Sequence, residues 1–197
     1  TVTVNEGSTV TYTAAADTGY YVQAWGGGPS ANCAVDTYQV NSTVNGDNTN
    51  VTFVSTAILG ECELNVGFEA ISVRATPSTA TAGGSISPST SQTDTYGSTI
   101  DFVLNPDAGY RIDRVEGTCP GSLSGETYSA GPLVGNCTVL AYFAALQTFT
   151  VTPSAGTGGA IDPSTAQPVT ESDTASFTLT PDSGYQTDSV GGTCGGT

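Results

Sequence analysis

Leu104 to Gly117 reads LNPDAGYRIDRVEG, and the phrase returns as LTPDSGYQTDSVGG from Leu179 to Gly192 and, more loosely, as TAAADTGYYVQAWGG from Thr13 to Gly27. In the versions at Leu104 and Leu179 proline presets the backbone for a turn, and in all three the glycine before the tyrosine suits a left-handed or otherwise restricted position. A turn of fixed composition that recurs makes the chain a set of repeats, and that controls every later reading. Upstream of the turn, VRATPSTATAGGSISPST (Val73–Thr90) matches VTPSAGTGGAIDPST (Val151–Thr165). Downstream, CELNVGFEA (Cys62–Ala70) matches CTVLAYFAA (Cys137–Ala145). The pattern predicts three units, 1–70, 71–145 and 146–197. The first lacks the opening hairpin and carries a long insertion over 26–58, the second is complete, and the third lacks the closing strand.

Runs of alternating apolar and polar residues, rich in threonine and valine, predict strands. They lie at Thr9–Thr13, Val51–Val54, Leu64–Phe68, Ile100–Leu104, Val139–Phe143, Phe149–Thr152 and Ala175–Thr180. No window carries helical spacing of apolar positions, and 25 glycines with 10 prolines punctuate the chain throughout. The expected class is all-β without substantial helix: tandem small sandwich-like or grasp-like modules of about five strands each. Tyr20 has counterparts in the other copies, and Trp25 stands where Val115 and Val190 stand, so both read as core positions. The tyrosine after each turn is expected to face back into its unit.

A unit of roughly 75 residues has a marginal core and calls for a staple. Repeat alignment pairs Cys33 with Cys62 and Cys119 with Cys137, while Cys194 stands where its copy's first cysteine should, as an unpaired or intermolecular thiol. Each bridge is expected to contribute on the order of 3 kcal/mol through loop closure. Disulfides persist outside the reducing cytosol, which places the protein at the cell surface or in the medium. Eighteen acidic residues face three arginines, without lysine or histidine, for a net charge of −15. Such a surface repels phosphate backbones and anionic lipid, arguing against nucleic-acid partners, and no run is long and apolar enough for membrane insertion.

The succession of Gly83, Gly84, Ile86 and Pro88, then Gly97 to Leu104, Asp107 to Tyr110, Val115 and a closing Phe143 resembles the divergent internalin B-repeat of bacterial extracellular proteins. In copy one the matching features are Trp25 and Phe68, and copy three follows the pattern to Val190. The resemblance implies tandem β-rich modules on surface proteins, adhesins and secreted hydrolases. Its motifs are structural and specify fold far better than activity. The cysteine pairs and the insertion from Gly26 to Ile58 depart from the pattern.

Chemistry is scarce. Without histidine the commonest general base is missing, and without lysine so are Schiff-base chemistry, Ser-Lys dyads and Lys-Asn isopeptide crosslinks. GSLSG at Gly121–Gly125 approaches a nucleophile elbow, but Leu123 occupies its centre and no base is available for Ser122 or Ser124. Asp101, Asp107, Asp113 and Glu116 suggest a glycosidase pair; the plainer reading gives Asp107 and Asp182 a turn-capping role and the others solvent faces. No calcium-loop motif occurs, and zinc lacks its nitrogen ligands. No catalytic residue, metal or cofactor is therefore expected. Asn41, Asn50 and Asn136 head glycosylation sequons.

The expected role is that of a non-enzymatic structural or adhesive repeat protein, a surface stalk or filament component. Its partners would be neighbouring repeats or copies of itself joined head to tail, with polysaccharide or a host surface as a further class. The frame-shifted ends read either as a window on a longer array or as a device for such joining, with Thr1–Val4 inserting into a neighbour. The competing reading is an accessory carbohydrate-binding region of a secreted hydrolase, with Tyr21 and Trp25 as ligand-contact aromatics. The loops over 26–58 and 120–135, both hung from the disulfides, are the ones expected to vary in function.

Overall fold

The computed structural model describes residues 2–25, 35–44, 46–63 and 65–194, and every regular element among them is a β-strand. Hydrogen-bonded strand pairs join strands within 11–70, within 72–145 or within 148–181.

In the first segment β1 (Thr11–Ala15), β4 (Asp47–Ser55) and β3 (Val35–Val44) form one antiparallel sheet in that order. A separate antiparallel pair joins β2 (Tyr20–Trp25) to β5 (Val66–Ala70). Alternation along β1 and β4 turns Ala14, Val51 and Phe53 inward, where they meet Val22 of β2. Tyr12 stacks on Phe53 at 5.5 Å. The insertion that the sequence marks as a loop instead supplies the β3–β4 pair, so much of it is sheet.

The middle segment is a sandwich. One sheet runs β10 (Tyr110–Gly117), β13 (Cys137–Ala145), β6 (Ser72–Thr79), β8 (Gln92–Thr95). The other runs β11 (Gly121–Ser124), β12 (Thr127–Ala130), β9 (Ile100–Pro106), β7 (Gly84–Ser87). Eight strands replace the expected five. The three missed here, β8, β11 and β12, have four residues each, half or more of them glycine, serine or threonine, so they carry little apolar alternation to read. In particular, the stretch over 120–135 expected as a loop contains the β11–β12 hairpin. Between the sheets lie Val73, Ala75, Ile86, Phe102, Leu104, Ala130, Leu133, Val139, Ala141 and Phe143, all buried. Each large aliphatic or aromatic side chain so removed from water contributes roughly 1.5–3 kcal/mol.

One pairing could not be guessed from alternation. β6 and β13, the first and last strands of the segment, are parallel neighbours, with Cys137 opposite Ala75 and Ala141 opposite Thr79. Parallel first and last strands carry the chain in at one end of the sandwich and out at the other.

In the last segment β14 (Thr148–Val151) pairs with β16 (Gln167–Thr170), and β15 (Gly159–Asp162) pairs with β17 (Thr178–Pro181). Strand β17 is shorter than the run Ala175–Thr180 suggests. Leu179 is 38% exposed, whereas its counterpart Leu104 is fully buried in the middle sandwich.

The tyrosines correct an expectation. Tyr20, Tyr110 and Tyr185 are 48%, 38% and 63% exposed, so none is a core residue. Tyr110 lies flat over Gly83 and Tyr185 over Gly158, so close that any Cβ at either glycine would collide with the ring. The Gly-Gly and Gly-Tyr motifs recur together because each bare glycine is the seat of a tyrosine. The turn itself closes through backbone, with the amides of Tyr20, Tyr110 and Tyr185 donating to the carbonyls of Asp17, Asp107 and Asp182. Gly19, Gly109 and Gly184 sit at φ of +87°, +83° and +85°, as the third residue of such a turn requires. The closure seen is thus made by main-chain oxygen rather than by the aspartate side chain.

Candidate functional site: the clamp strands and the inter-unit junctions

Five residue pairs bind β6 to β13, and side chains extend the contact at both ends. At the entry end the Arg74 amide donates to Asn136 Oδ1 at 2.8 Å. At the exit end the Ala80 amide donates to the Ala141 carbonyl, after which the Thr81 hydroxyl donates to the Phe143 carbonyl and accepts from the Phe143 amide. Thr81 thus does with one hydroxyl what the next strand residue would have done with backbone. Asn136, singled out as a sequon, serves here as a terminus of the clamp.

The cysteines fasten the same strand. Cys119, in the connection from β10 to β11, is bonded to Cys137, the first residue of β13, across a Cα separation of 4.9 Å. Both sulfurs belong to the core cluster, and the Tyr128 hydroxyl donates to the Cys119 carbonyl beside them. Burial there pushes the Tyr128 hydroxyl's pKa above its ordinary value. Cys62 is held in a disulfide, and Cys33, its expected partner, lies outside the described residues. Cys194 is free and exposed.

Where one unit meets the next the linkers are very short. Only Ile71 separates β5 from β6, and only Leu146 and Gln147 separate β13 from β14. The closing strand of each unit runs almost directly into the opening strand of its successor. The same bond secures both joints: the Ile71 amide donates to the Gly19 carbonyl, and the Leu146 amide to the Gly109 carbonyl, each at 2.8 Å. The glycine of the Gly-Tyr turn is therefore also the docking point for the following unit. A linker of one or two residues, bonded back to its own unit, has none of the freedom of a coil.

Side chains complete the two joints differently. At the first, Ile71 is 1% exposed and belongs to the core of the second unit, against which Tyr21 and Tyr96 also pack. The Tyr21 hydroxyl donates to Glu69 Oε2 at 2.9 Å, and this bond raises the tyrosine's pKa. Tyr21, expected as a ligand-contact aromatic, is engaged in this packing. Trp25 is in β2 opposite Val66, and its side chain lies outside the described residues. At the second joint, Arg111 and Glu171 occupy the positions of Tyr21 and Tyr96, with Arg111 Nε 3.4 Å from Glu171 Oε2. Glu171 also accepts from the Gln147 amide at 3.3 Å. Apolar contact at one joint is replaced by a partly buried ion pair at the next. Nothing in the sequence alone links these positions, since the partners are 75 and 60 residues apart.

The outer face of β10 gathers two of the three arginines. Arg114 lies 3.7 Å over the Tyr142 ring and donates to both Asp113 and Glu116. The Arg114 guanidinium, followed by the Tyr142 hydroxyl, holds the Glu116 carboxyl below its usual range. Asp113 and Glu116, considered above as glycosidase acids, are thus committed to arginine. Among the described residues no three His, Cys, Asp or Glu side chains are grouped to hold a metal ion.

The family described as the divergent InlB B-repeat domain matches the chain over residues 1–57, 72–147 and 149–197. No curated protein and no solved structure matches.

Proposed function

Because the chain belongs to the divergent InlB B-repeat family, we propose that it works as a non-enzymatic extracellular spacer, a tension-bearing stalk segment at a bacterial surface. The observation that carries this reading is the parallel β6–β13 pair. Tension on the chain pulls the start of β6 one way and the end of β13 the other, so the two strands are loaded in shear. Hydrogen bonds run across strands rather than along them, and in shear they share the load instead of opening one at a time. Thr81 and Asn136 lengthen the shared line, and the Cys119–Cys137 bridge ties the start of β13 to the opposite connection. The one- and two-residue linkers pass that load from unit to unit with little slack.

Localisation outside the cytosol rests on the disulfides and on the family. Strong acidity fits the same setting, because a surface of net charge −15 stays soluble and avoids anionic polymers. The test is directional pulling of single molecules. Stretching between the two ends of the chain should unfold the middle unit in one discrete step. Pulling from Gly125, at the tip of the β11–β12 hairpin, should peel it at clearly lower force. Equal forces in the two directions would remove the basis for a load-bearing role.

A further inference from the structure

GSLSG at Gly121–Gly125 has no use as a catalytic elbow, yet its position in the sandwich is distinctive. It forms β11 and the first residue of the following turn, at the outer edge of the β11-β12-β9-β7 sheet. All four β11 residues are exposed, and Leu123 is 39% exposed. The hairpin closes at Ser124 opposite Thr127 through the two-residue turn Gly125–Glu126, which makes Ser124–Thr127 a mutually hydrogen-bonded pair. Alternation then directs the N–H and C=O of Leu123 away from β12, into solvent. Those of Gly121 face the same way, and Gly125 opens the turn at a φ of +58°.

An open edge is a template for another strand, and the other edges of this sandwich are blunted. Strand β10 carries Arg111, Asp113, Arg114 and Glu116, β8 carries Asp94, and β7 buries its one apolar residue, Ile86, and runs straight into Pro88. Strand β11, which follows Pro120, also has neither charge nor proline of its own, but unlike β7 it leaves its one apolar residue, Leu123, exposed.

We propose that this edge pairs with itself, joining two copies of the chain side by side through antiparallel β11 strands. The sequence reads the same in both directions, so a two-fold axis through Leu123 places Gly121 opposite Gly125, Ser122 opposite Ser124, and Leu123 opposite Leu123. The outward N–H and C=O of Leu123 meet those of its own copy across the axis and form the ladder, with Gly121 flanking it opposite the turn glycine. Leu123 points to the same side as its neighbours Tyr128 and Phe102, both in the core, so the two leucines continue the apolar layer across the seam. The result is one sheet of eight strands, β7 to β11 and back. Glu126 falls at opposite ends of the seam and opposes no carboxylate. The pairing is lateral, so it bundles spacers and leaves the ends of each chain as they are. A contact this small is weak, and between two chains of net charge −15 it strengthens as salt screens their repulsion.

The test uses the whole chain with Cys194→Ser, which removes the free thiol. Sedimentation equilibrium at low salt and at about 1 M sodium chloride, where the screening length is about 3 Å, should show dimers favoured by salt. Leu123→Lys puts like charges face to face on the axis and should weaken dimerisation at least about tenfold with an unchanged circular dichroism spectrum. Leu123→Cys should give a covalent dimer with oxidised glutathione, and Thr93→Cys on the β8 edge should not. A protein monomeric at both salts to millimolar concentration overturns the proposal. So does dimerisation that Leu123→Lys leaves unchanged, or crosslinking as efficient from Thr93→Cys as from Leu123→Cys.

Discussion

Reduction of the Cys119–Cys137 bridge should alter the mechanics of the middle unit in a way that can be counted in ångströms. The bridge closes a separation of 18 residues, and its Cα atoms are 4.9 Å apart. At about 3.5 Å per residue of extended chain, those residues represent about 60 Å of length that an oxidised molecule cannot release. When the chain is stretched from its ends, unfolding of the middle unit should lengthen the tether by about 60 Å less in oxidised than in reduced protein. The bridge is anchored at Cys137, in the first of the five pairs and at the end of β13 remote from the pulled terminus, so it hides the β11–β12 hairpin and leaves the rest of the clamp exposed to force. The peak unfolding force should therefore fall modestly on reduction, while the released length changes by the full amount. Equilibrium denaturation should register the same change as a loss of about 3 kcal/mol, from loop closure in the unfolded chain. The assay is optical-trap or force-microscope extension with and without dithiothreitol, with Cys119→Ser/Cys137→Ser as the permanently open control. Equal released lengths in the two redox states would show that the hairpin does not unfold with the clamp, and would refute the load path.

Four further outcomes are expected. Ile71→Ala, at a fully packed junction, should cost the second unit about 2–4 kcal/mol in chemical denaturation, with a much smaller loss for Leu146→Ala, whose side chain is only half-buried. Gly83→Ala should destabilise more than Gly158→Ala: both glycines have positive φ and a ring overhead, but Tyr185 is 63% exposed and free to swing aside, whereas Tyr110 is 38% exposed. Thr81→Val keeps the shape and removes both bonds to Phe143, so it should lower the end-to-end unfolding force more than the unfolding temperature, as comparison of pulling and calorimetry will show. In an NMR titration Glu116 should protonate below the ordinary carboxylate range and return to it in Arg114→Gln. Because its folded pKa is depressed, the stability it lends is present above its unfolded pKa and lost as pH falls through the folded one.

The class, the repeat and the bridge between Cys119 and Cys137 could be read from the residues because each has a local signature. Alternation marks β9 and β13, Pro-Asp-x-Gly-Tyr marks a turn, and cysteines at equivalent places in two copies mark a staple. The candidate site was less legible. The ring of Tyr21 stands out in the sequence, but its neighbours, Glu69 and the core of the next unit, are dozens of residues away. Arg111 and Glu171 look like ordinary surface charges until β10 and the turn after β16 are brought together. Recurrence at the same place in each copy reads the Gly-Tyr tyrosines as core positions, although they are 38–63% exposed. Only the fold shows that a glycine had been kept bare beneath Tyr110 and Tyr185.

By itself, then, the sequence determined the local backbone: where strands alternate, where turns demand positive φ, and which thiols stand at matching places in a repeat. Those properties depend on a residue and its near neighbours, and a one-dimensional string preserves them. Only the tertiary structure decided that β6 and β13 lie side by side and parallel, that Thr81 and Asn136 finish their ladder, and that the edge at Gly121–Gly125 is left open. Strand neighbours are chosen by which faces pack into a common core across more than sixty residues of chain, and that choice leaves no period in the sequence to read.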